Sequence, residues 1–90
     1  MISWGFAFGY SDLATVDVNF AKPSCYLYVS GDTGDIVYEN TAGQAQFFPN
    51  AQGNNIYPIA ATRILSTGTV NGTPRTTTAT NIVYCSTNIP

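Results

Sequence analysis

The chain has 90 residues, of which 44% are hydrophobic and only 9% are charged, and its formal net charge is −2. Soluble domains average about 25% charged residues, so this composition indicates a surface that is partly covered by other subunits. Three Lys and Arg residues form no basic patch for phosphates, and no apolar run approaches the ~20 residues that span a bilayer. We therefore expect neither nucleic acid nor a membrane as a partner.

Residues 1–23 are predicted to form an extended aromatic arm, followed by one β domain over residues 24–90. The start of the arm has no Lys or Arg before its apolar part, so we expect no export signal. Side chains alternate across an extended chain, and one face of the arm would therefore carry four aromatic rings, those of Trp4, Phe6, Phe8 and Tyr10. This face either belongs to the core of the domain or docks on another subunit.

From residue 24 onward, short apolar runs alternate with turns rich in Gly and Asn. The apolar runs predict strands at residues 25–30, 35–40, 44–48 and 81–85 and a further strand within residues 56–65. The first three are expected to form a meander, joined by the turn 31–34 and by a bulged hairpin at 41–43. No segment has a convincing helical period. We predict an all-β fold, a small antiparallel sandwich or barrel of about five to seven strands.

Residues 56–65 would place Arg63 on a strand face shared with apolar side chains, namely Ile59, Ala61 and Leu65. A buried arginine needs an acidic partner, so we predict a buried ion pair of Arg63 with Asp35 or Glu39. Pro58 cannot donate to a ladder and is expected at the start of the strand or on an edge.

Residues 66–80 are predicted to form a flexible polar loop whose outward surface comprises Asn71, Gly72, Thr73, Pro74 and Arg75. The sequence Asn71-Gly72-Thr73 matches a glycosylation acceptor pattern, which has meaning only in a secreted chain.

The sequence offers no catalytic constellation, because it contains no histidine and pairs no nucleophile with a base. We expect no enzyme, no cofactor and no metal. Asp32 and Asp35 could offer oxygen ligands to calcium, but a hydrated turn is the favoured interpretation because a calcium loop needs more acidic positions. Cys25 and Cys85 could pair, although two reduced, buried thiols are favoured.

The last two-thirds of the chain resembles the head-spike base proteins of alphaproteobacterial gene transfer agents and their tailed-phage relatives. The matching pieces occur in the family's order: Gly31 to Gly34, Asn40 to Phe48, Tyr57-Pro58-Ile59, Arg63-Ile64-Leu65, Thr67-Gly68-Thr69 and Thr78-Ala79-Thr80-Asn81-Ile82-Val83. Residues 70–77 depart from the pattern as an insertion, and residues before Pro23 match nothing in the family.

This resemblance implies a β-rich protein that assembles into a ring and anchors a fibre or spike outside a capsid. We therefore expect a structural virion protein of a tailed phage, made in the host cytoplasm and placed on the capsid surface as a head-spike base or a decoration (cement) protein. The expected partners are the major capsid protein, further copies of the chain in a pentamer or trimer, and a head fibre protein. The arm aromatics would make the capsid or subunit contact. The alternative is a carbohydrate-binding module of a phage fibre or surface protein.

Overall fold

A computed structural model describes residues 10–86 of the chain. These residues contain no helix, and hence no helix that could cross a membrane. They form nine strands: β1 (Tyr10–Leu13), β2 (Tyr26–Val29), β3 (Gly34–Glu39), β4 (Ala45–Ala51), β5 (Asn55–Tyr57), β6 (Arg63–Leu65), β7 (Thr67–Val70), β8 (Thr73–Thr76) and β9 (Ile82–Ser86). The predicted all-β antiparallel fold is confirmed, with more strands than expected.

Two antiparallel sheets enclose the core. A four-stranded sheet has the order β1-β9-β2-β5 and a three-stranded sheet the order β4-β3-β6, while β7 and β8 form a separate hairpin. One buried cluster draws side chains from both larger sheets, so they pack face to face as a sandwich. Its members include Leu27, Val29, Ile36, Ile64, Ile82 and Tyr84.

The strand prediction around β2 is correct in its alternation, because Leu27 and Val29 are both fully buried. The predicted meander is wrong, since β2 and β3 lie in different sheets. The connection passes so close to residues 78–80 that a Cβ on Gly31 or Gly34 would collide with their backbone. Residues 31–34 therefore carry the chain from one sheet to the other instead of forming a hairpin turn.

The hairpin between β3 and β4 forms as predicted. The side-chain oxygen of Asn40 accepts hydrogen bonds from the N–H groups of Ala42 and Gln44, at 3.0 and 2.9 Å. Gly43 has φ +81°, a conformation that glycine adopts without a steric penalty.

Residues 56–65 form two short strands, β5 and β6, rather than one. Between them the backbone bonds to a buried hydroxyl: Ser24 donates to the Ile59 carbonyl at 2.8 Å and accepts from the Ala61 N–H at 2.9 Å. The irregular stretch changes the alternation, so Ile64 instead of Leu65 is fully buried. The predicted shared face of Ile59, Ala61 and Leu65 is therefore wrong.

The expected flexible loop over residues 66–80 is also wrong, because it contains the hairpin β7–β8. Asn71 and Gly72 have φ values of 51° and 79°, as a two-residue type I′ turn requires. The hairpin lies over the outer side of the three-stranded sheet, where a Cβ on Gly68 would be 3.2 Å from Val37 Cγ1. This close approach covers Val37, which is fully buried.

The described part of the predicted arm, residues 10–23, belongs to the fold. β1 pairs with β9 over its whole length, and the Phe20 ring stacks on Tyr84 with centroids 4.0 Å apart. The predicted boundary at residue 23 therefore does not separate residues 10–23 from the domain. Three of the arm aromatics, Trp4, Phe6 and Phe8, lie outside the described residues.

Candidate assembly surface

β1 forms an open edge of the four-stranded sheet. Among residues 10–86 it pairs only with β9, and the Ala14 N–H donates to the Ile82 carbonyl at 2.8 Å. Hydrogen-bonded and non-bonded positions alternate along an antiparallel pair of strands. Since Ala14 is a bonded position, Leu13 and Ser11 are non-bonded positions, and their N–H and C=O groups point away from β9. The Leu13 N–H is bonded to the Asp12 carboxylate at 2.8 Å. The main-chain groups of Ser11 and the Leu13 carbonyl can therefore receive another strand.

Four other strand edges in the described structure are obstructed by a proline or by a covering segment. Prolines lie within β4, within β8 and directly after β5, at Pro49, Pro74 and Pro58. The free side of β6 is occupied by the segment that follows β1, since Asp17 and Phe20 donate their N–H groups to β6 and its flank at 2.7 and 2.8 Å. Proline and covering segments are two ways in which proteins block edge pairing. Neither a proline nor a covering segment from residues 14–86 lies on the open edge of β1.

An apolar patch follows the open edge. Its three large side chains are exposed: Leu13 at 55%, Val16 at 43% and Val18 at 53%. Single exposed apolar residues are ordinary, but three within one short segment make it a candidate interaction surface.

A groove of about 260 Å³ lies beside β1 and includes part of this patch. Its apolar walls are formed by Tyr10, Leu13, Val18, Phe20 and Tyr84. The Tyr10 ring lies 5.8 Å from the Tyr84 ring and is also 5.8 Å from the Lys22 ammonium. Tyr10, the one described member of the predicted contact residues, is thus half-buried and borders the groove.

Asp17 holds the patch segment in a fixed position. Its carboxylate accepts hydrogen bonds from the Ser66 N–H at 3.0 Å and the Ser66 hydroxyl at 2.7 Å. These bonds, with a smaller contribution from the positive charge of Arg63, lower the pKa of Asp17. Asp17 also has φ 65°, so the chain turns sharply between Val16 and Val18.

Arg63 meets one of its two predicted partners, at the surface. Its Nε lies 3.3 Å from Glu39 Oε1, and a terminal nitrogen donates to Oε2 at 3.3 Å. The two side chains are 35% and 25% exposed, so the expected burial of the pair is not found. Asp35 is elsewhere, accepting a hydrogen bond from the Asn50 N–H at 2.9 Å. Partly exposed ion pairs of this kind contribute at most about 1 kcal/mol to stability.

A larger cavity, of about 360 Å³, lies beside Glu39. Part of its polar lining is engaged within the chain: Thr62 donates to the Glu39 carbonyl at 3.2 Å, and the Asn40 amide oxygen binds the β3–β4 turn.

The predicted outward residues lie at the tip and along the second strand of the β7–β8 hairpin. All five, Asn71 to Arg75, are exposed. Arg75 lies over the Phe47 ring at 4.4 Å, which fixes that side of the hairpin to the sheet.

The two cysteines are neighbours and both are free. The Cys25 thiol donates to the Cys85 carbonyl at 3.4 Å, and Cys85 is fully buried. Burial raises the pKa of the Cys85 thiol to about 11. No group of three or more potential metal ligands occurs among residues 10–86; Asp32 lies in the connection between the sheets and Asp35 lies in β3.

Sequence reasoning missed the open edge and the apolar patch. Leu13, Val16 and Val18 follow no period of two, and a segment without alternation is easily read as a simple linker. The signal that could have indicated the patch is the presence of these three aliphatic residues in one short stretch, beside the charged residues Asp12 and Asp17.

No family model matches the chain, and no curated protein matches it. A chain in a solved structure described as the capsid of a native GTA (gene transfer agent) particle computed with C5 symmetry is similar in fold. The TM-score is 0.60, the sequences are 19% identical, and the likeness covers 96% of this chain and 92% of the other. At this identity the likeness is one of fold, and it extends over nearly the whole of both chains.

Proposed function

We propose that this chain is a structural virion protein on the capsid exterior of a tailed phage or gene transfer agent. The observation that carries the proposal is the likeness in fold, over nearly the whole chain, to a chain of a GTA capsid. The protein acts by assembly and binding, without catalysis or a cofactor. Its location is the virion, and its partners are the major capsid protein and further copies of itself.

Two properties of the molecule support an assembly role. Charged residues make up only 9% of the sequence, so few desolvated charges would oppose the covering of its surface. The open edge of β1 and the apolar patch lie on adjoining segments, residues 10–13 and 13–18. Depletion of charge and clustering of apolar side chains are the features that distinguish interface centres.

The finer role that we propose is a head-spike base, with decoration of the whole shell as the alternative position. The resemblance of residues 31–83 to head-spike base proteins supports this choice. The contact with the shell or a neighbouring copy is assigned to the arm aromatics, Trp4, Phe6, Phe8 and Tyr10. The β7–β8 hairpin, with its exposed neutral tip, faces outward and is where a head fibre protein would attach.

The test is reconstitution on capsids that lack this protein. Purified chain is mixed with such capsids and the particles are sedimented; we expect saturable binding of the wild type. Trp4→Ala with Phe6→Ala should abolish retention on the capsids, whereas Thr73→Ala at the hairpin tip should bind as the wild type does. If the wild type stays in the supernatant at micromolar concentrations, the capsid role is wrong. If the double variant is fully retained, the assignment to the arm is wrong.

A further inference from the structure

We propose that residues 1–9 of one copy bind the open edge of β1 in a second copy of the chain, as an added strand whose aromatic side chains enter the groove. This inference rests on the proposed assembly role and names the surface that joins two copies.

The main chain of β1 provides the first argument. The N–H and C=O of Ser11 and the Leu13 carbonyl face away from β9, in an exposed strand. An extended segment that adds to a sheet edge gains affinity from main-chain hydrogen bonds and specificity from pockets for alternate side chains. Four of the other edges carry a proline or a covering segment, whereas within residues 10–86 the edge of β1 carries neither, so such an addition meets no obstacle there.

The groove provides the second argument. Its walls combine polar side chains, those of Asp12, Thr15 and Asn19, with the apolar and aromatic side chains named above, and Val18 in this lining remains 53% exposed. In an added strand, side chains two residues apart point the same way, so Trp4, Phe6 and Phe8 would share one face. Such rings supply large apolar areas to an interface, and residues 1–9 contain no charged side chain that would have to be desolvated.

The position of the arm argues for a second copy as the occupant. The described chain begins at Tyr10, which itself lines the groove, so arm and groove lie at the same corner of the molecule. Nine extended residues span up to ~30 Å, enough to reach the same corner of an adjacent copy. Exchange of identical segments is a common route to oligomers, and a head-to-tail version of it closes rings.

The experiment measures the native mass of the full chain by light scattering over a range of concentrations, together with the emission of Trp4, the single tryptophan. We expect the wild type to assemble and the emission to shift to shorter wavelength as it does so. Ser11→Pro removes an outward N–H without breaking a bond to β9. Val18→Asp places a charge in the groove. Each should raise the concentration needed for assembly at least about tenfold, equivalent to 1.4 kcal/mol.

Thr73→Asp is the matched control. It places the same charge on an exposed residue of β8 that does not line the groove. It should assemble like the wild type. Circular dichroism on each variant verifies that the sheets are intact.

Several results would overturn the proposal: a wild type that stays monomeric at every concentration, assembly of Ser11→Pro and Val18→Asp at wild-type concentrations, or an equal loss in Thr73→Asp. A Trp4 emission that is already blue-shifted in a monomer and independent of concentration would place the arm on its own chain and also overturn it. Sedimentation with capsids separates the two proposals. A monomer that binds capsids overturns the edge pairing alone, and an assembled form that fails to bind them overturns the capsid role alone.

Discussion

At the scale of single residues, Asp17 links the patch segment to Ser66 through a carboxylate that accepts two hydrogen bonds. The pKa of Asp17 is lowered below its ordinary value of 3.8 by these bonds. A carboxyl whose pKa is lower in the folded state stabilises the fold when ionised. Its contribution is therefore present above the unfolded-state pKa and is lost as the pH falls through the folded-state pKa.

We predict that, below pH 3.8, the free energy of unfolding of Asp17→Asn depends less on pH than that of the wild type. Asparagine also tolerates the left-handed conformation at this position, so the backbone should be retained. The measurement is urea unfolding of wild type and variant over an acidic pH series. Asp32→Asn removes the same charge from an exposed turn and is the control. If the free energy of unfolding changes with acidic pH equally in Asp17→Asn and in the wild type, the two hydrogen bonds do not favour the ionised carboxyl group.

A second prediction at this scale concerns the reactivity of the two cysteines. The thiolate is the reactive form of cysteine, and Cys85 is fully buried with its pKa raised to about 11. Cys25 is only half-buried. In the native protein near pH 8, iodoacetamide should therefore modify Cys25 and spare Cys85, as read by mass spectrometry of peptides. Cys25→Ser should abolish labelling of the native chain, and rapid labelling of Cys85 would contradict its burial.

Alternation along the sequence predicts individual buried residues only while the chain stays in one strand. Leu27 and Val29 were predicted on one face of β2 and are both buried. At Leu65 the same reasoning fails, because residues 59–61 leave the ladder to bond with Ser24. Ile64 becomes the core residue, since a shift of one position exchanges the two faces of a strand.

At the scale of elements, the β7–β8 hairpin is fixed to the three-stranded sheet by Thr77. Its hydroxyl donates to the Leu65 carbonyl at 2.6 Å and accepts from the Val37 N–H at 2.8 Å. We predict that Thr77→Val, a change of nearly constant shape, destabilises the fold by about 1–3 kcal/mol because the Val37 N–H loses its acceptor.

The measurement is equilibrium unfolding in urea of Thr77→Val beside Thr76→Val. Thr76 is an exposed residue of β8 and provides the matched control. Equal stability of the two variants would mean that the hairpin is held by its apolar contacts alone.

The elements differ in how far the sequence could predict them. β2, β3 and β9 carry enough β-branched and aromatic residues to be recognised locally. The β7–β8 hairpin had a usable signal, the dipeptide Asn71-Gly72, which favours a type I′ turn, but its polar flanks lack the apolar alternation that identifies a strand. β1 had none, because its partner is the last described strand and a pairing between chain ends leaves no local pattern.

At the scale of the whole molecule, the sheet order could not be predicted from local patterns. β9 lies between β1 and β2, and residues 31–34 transfer the chain from one sheet to the other. Both features depend on contacts between distant parts of the sequence. The candidate surface shares this origin, because its groove exists only where residues 10–21 meet Tyr84 of β9.

The central claim is that this chain is placed on the outside of a capsid. The most direct measurement compares cryo-electron microscopy maps of particles made with and without the gene for this chain. The account predicts difference density on the outer surface of the shell. Density restricted to the fivefold vertices would indicate a spike base, and density across the shell would indicate decoration. Difference density in the tail or the lumen, or its absence, would contradict the account.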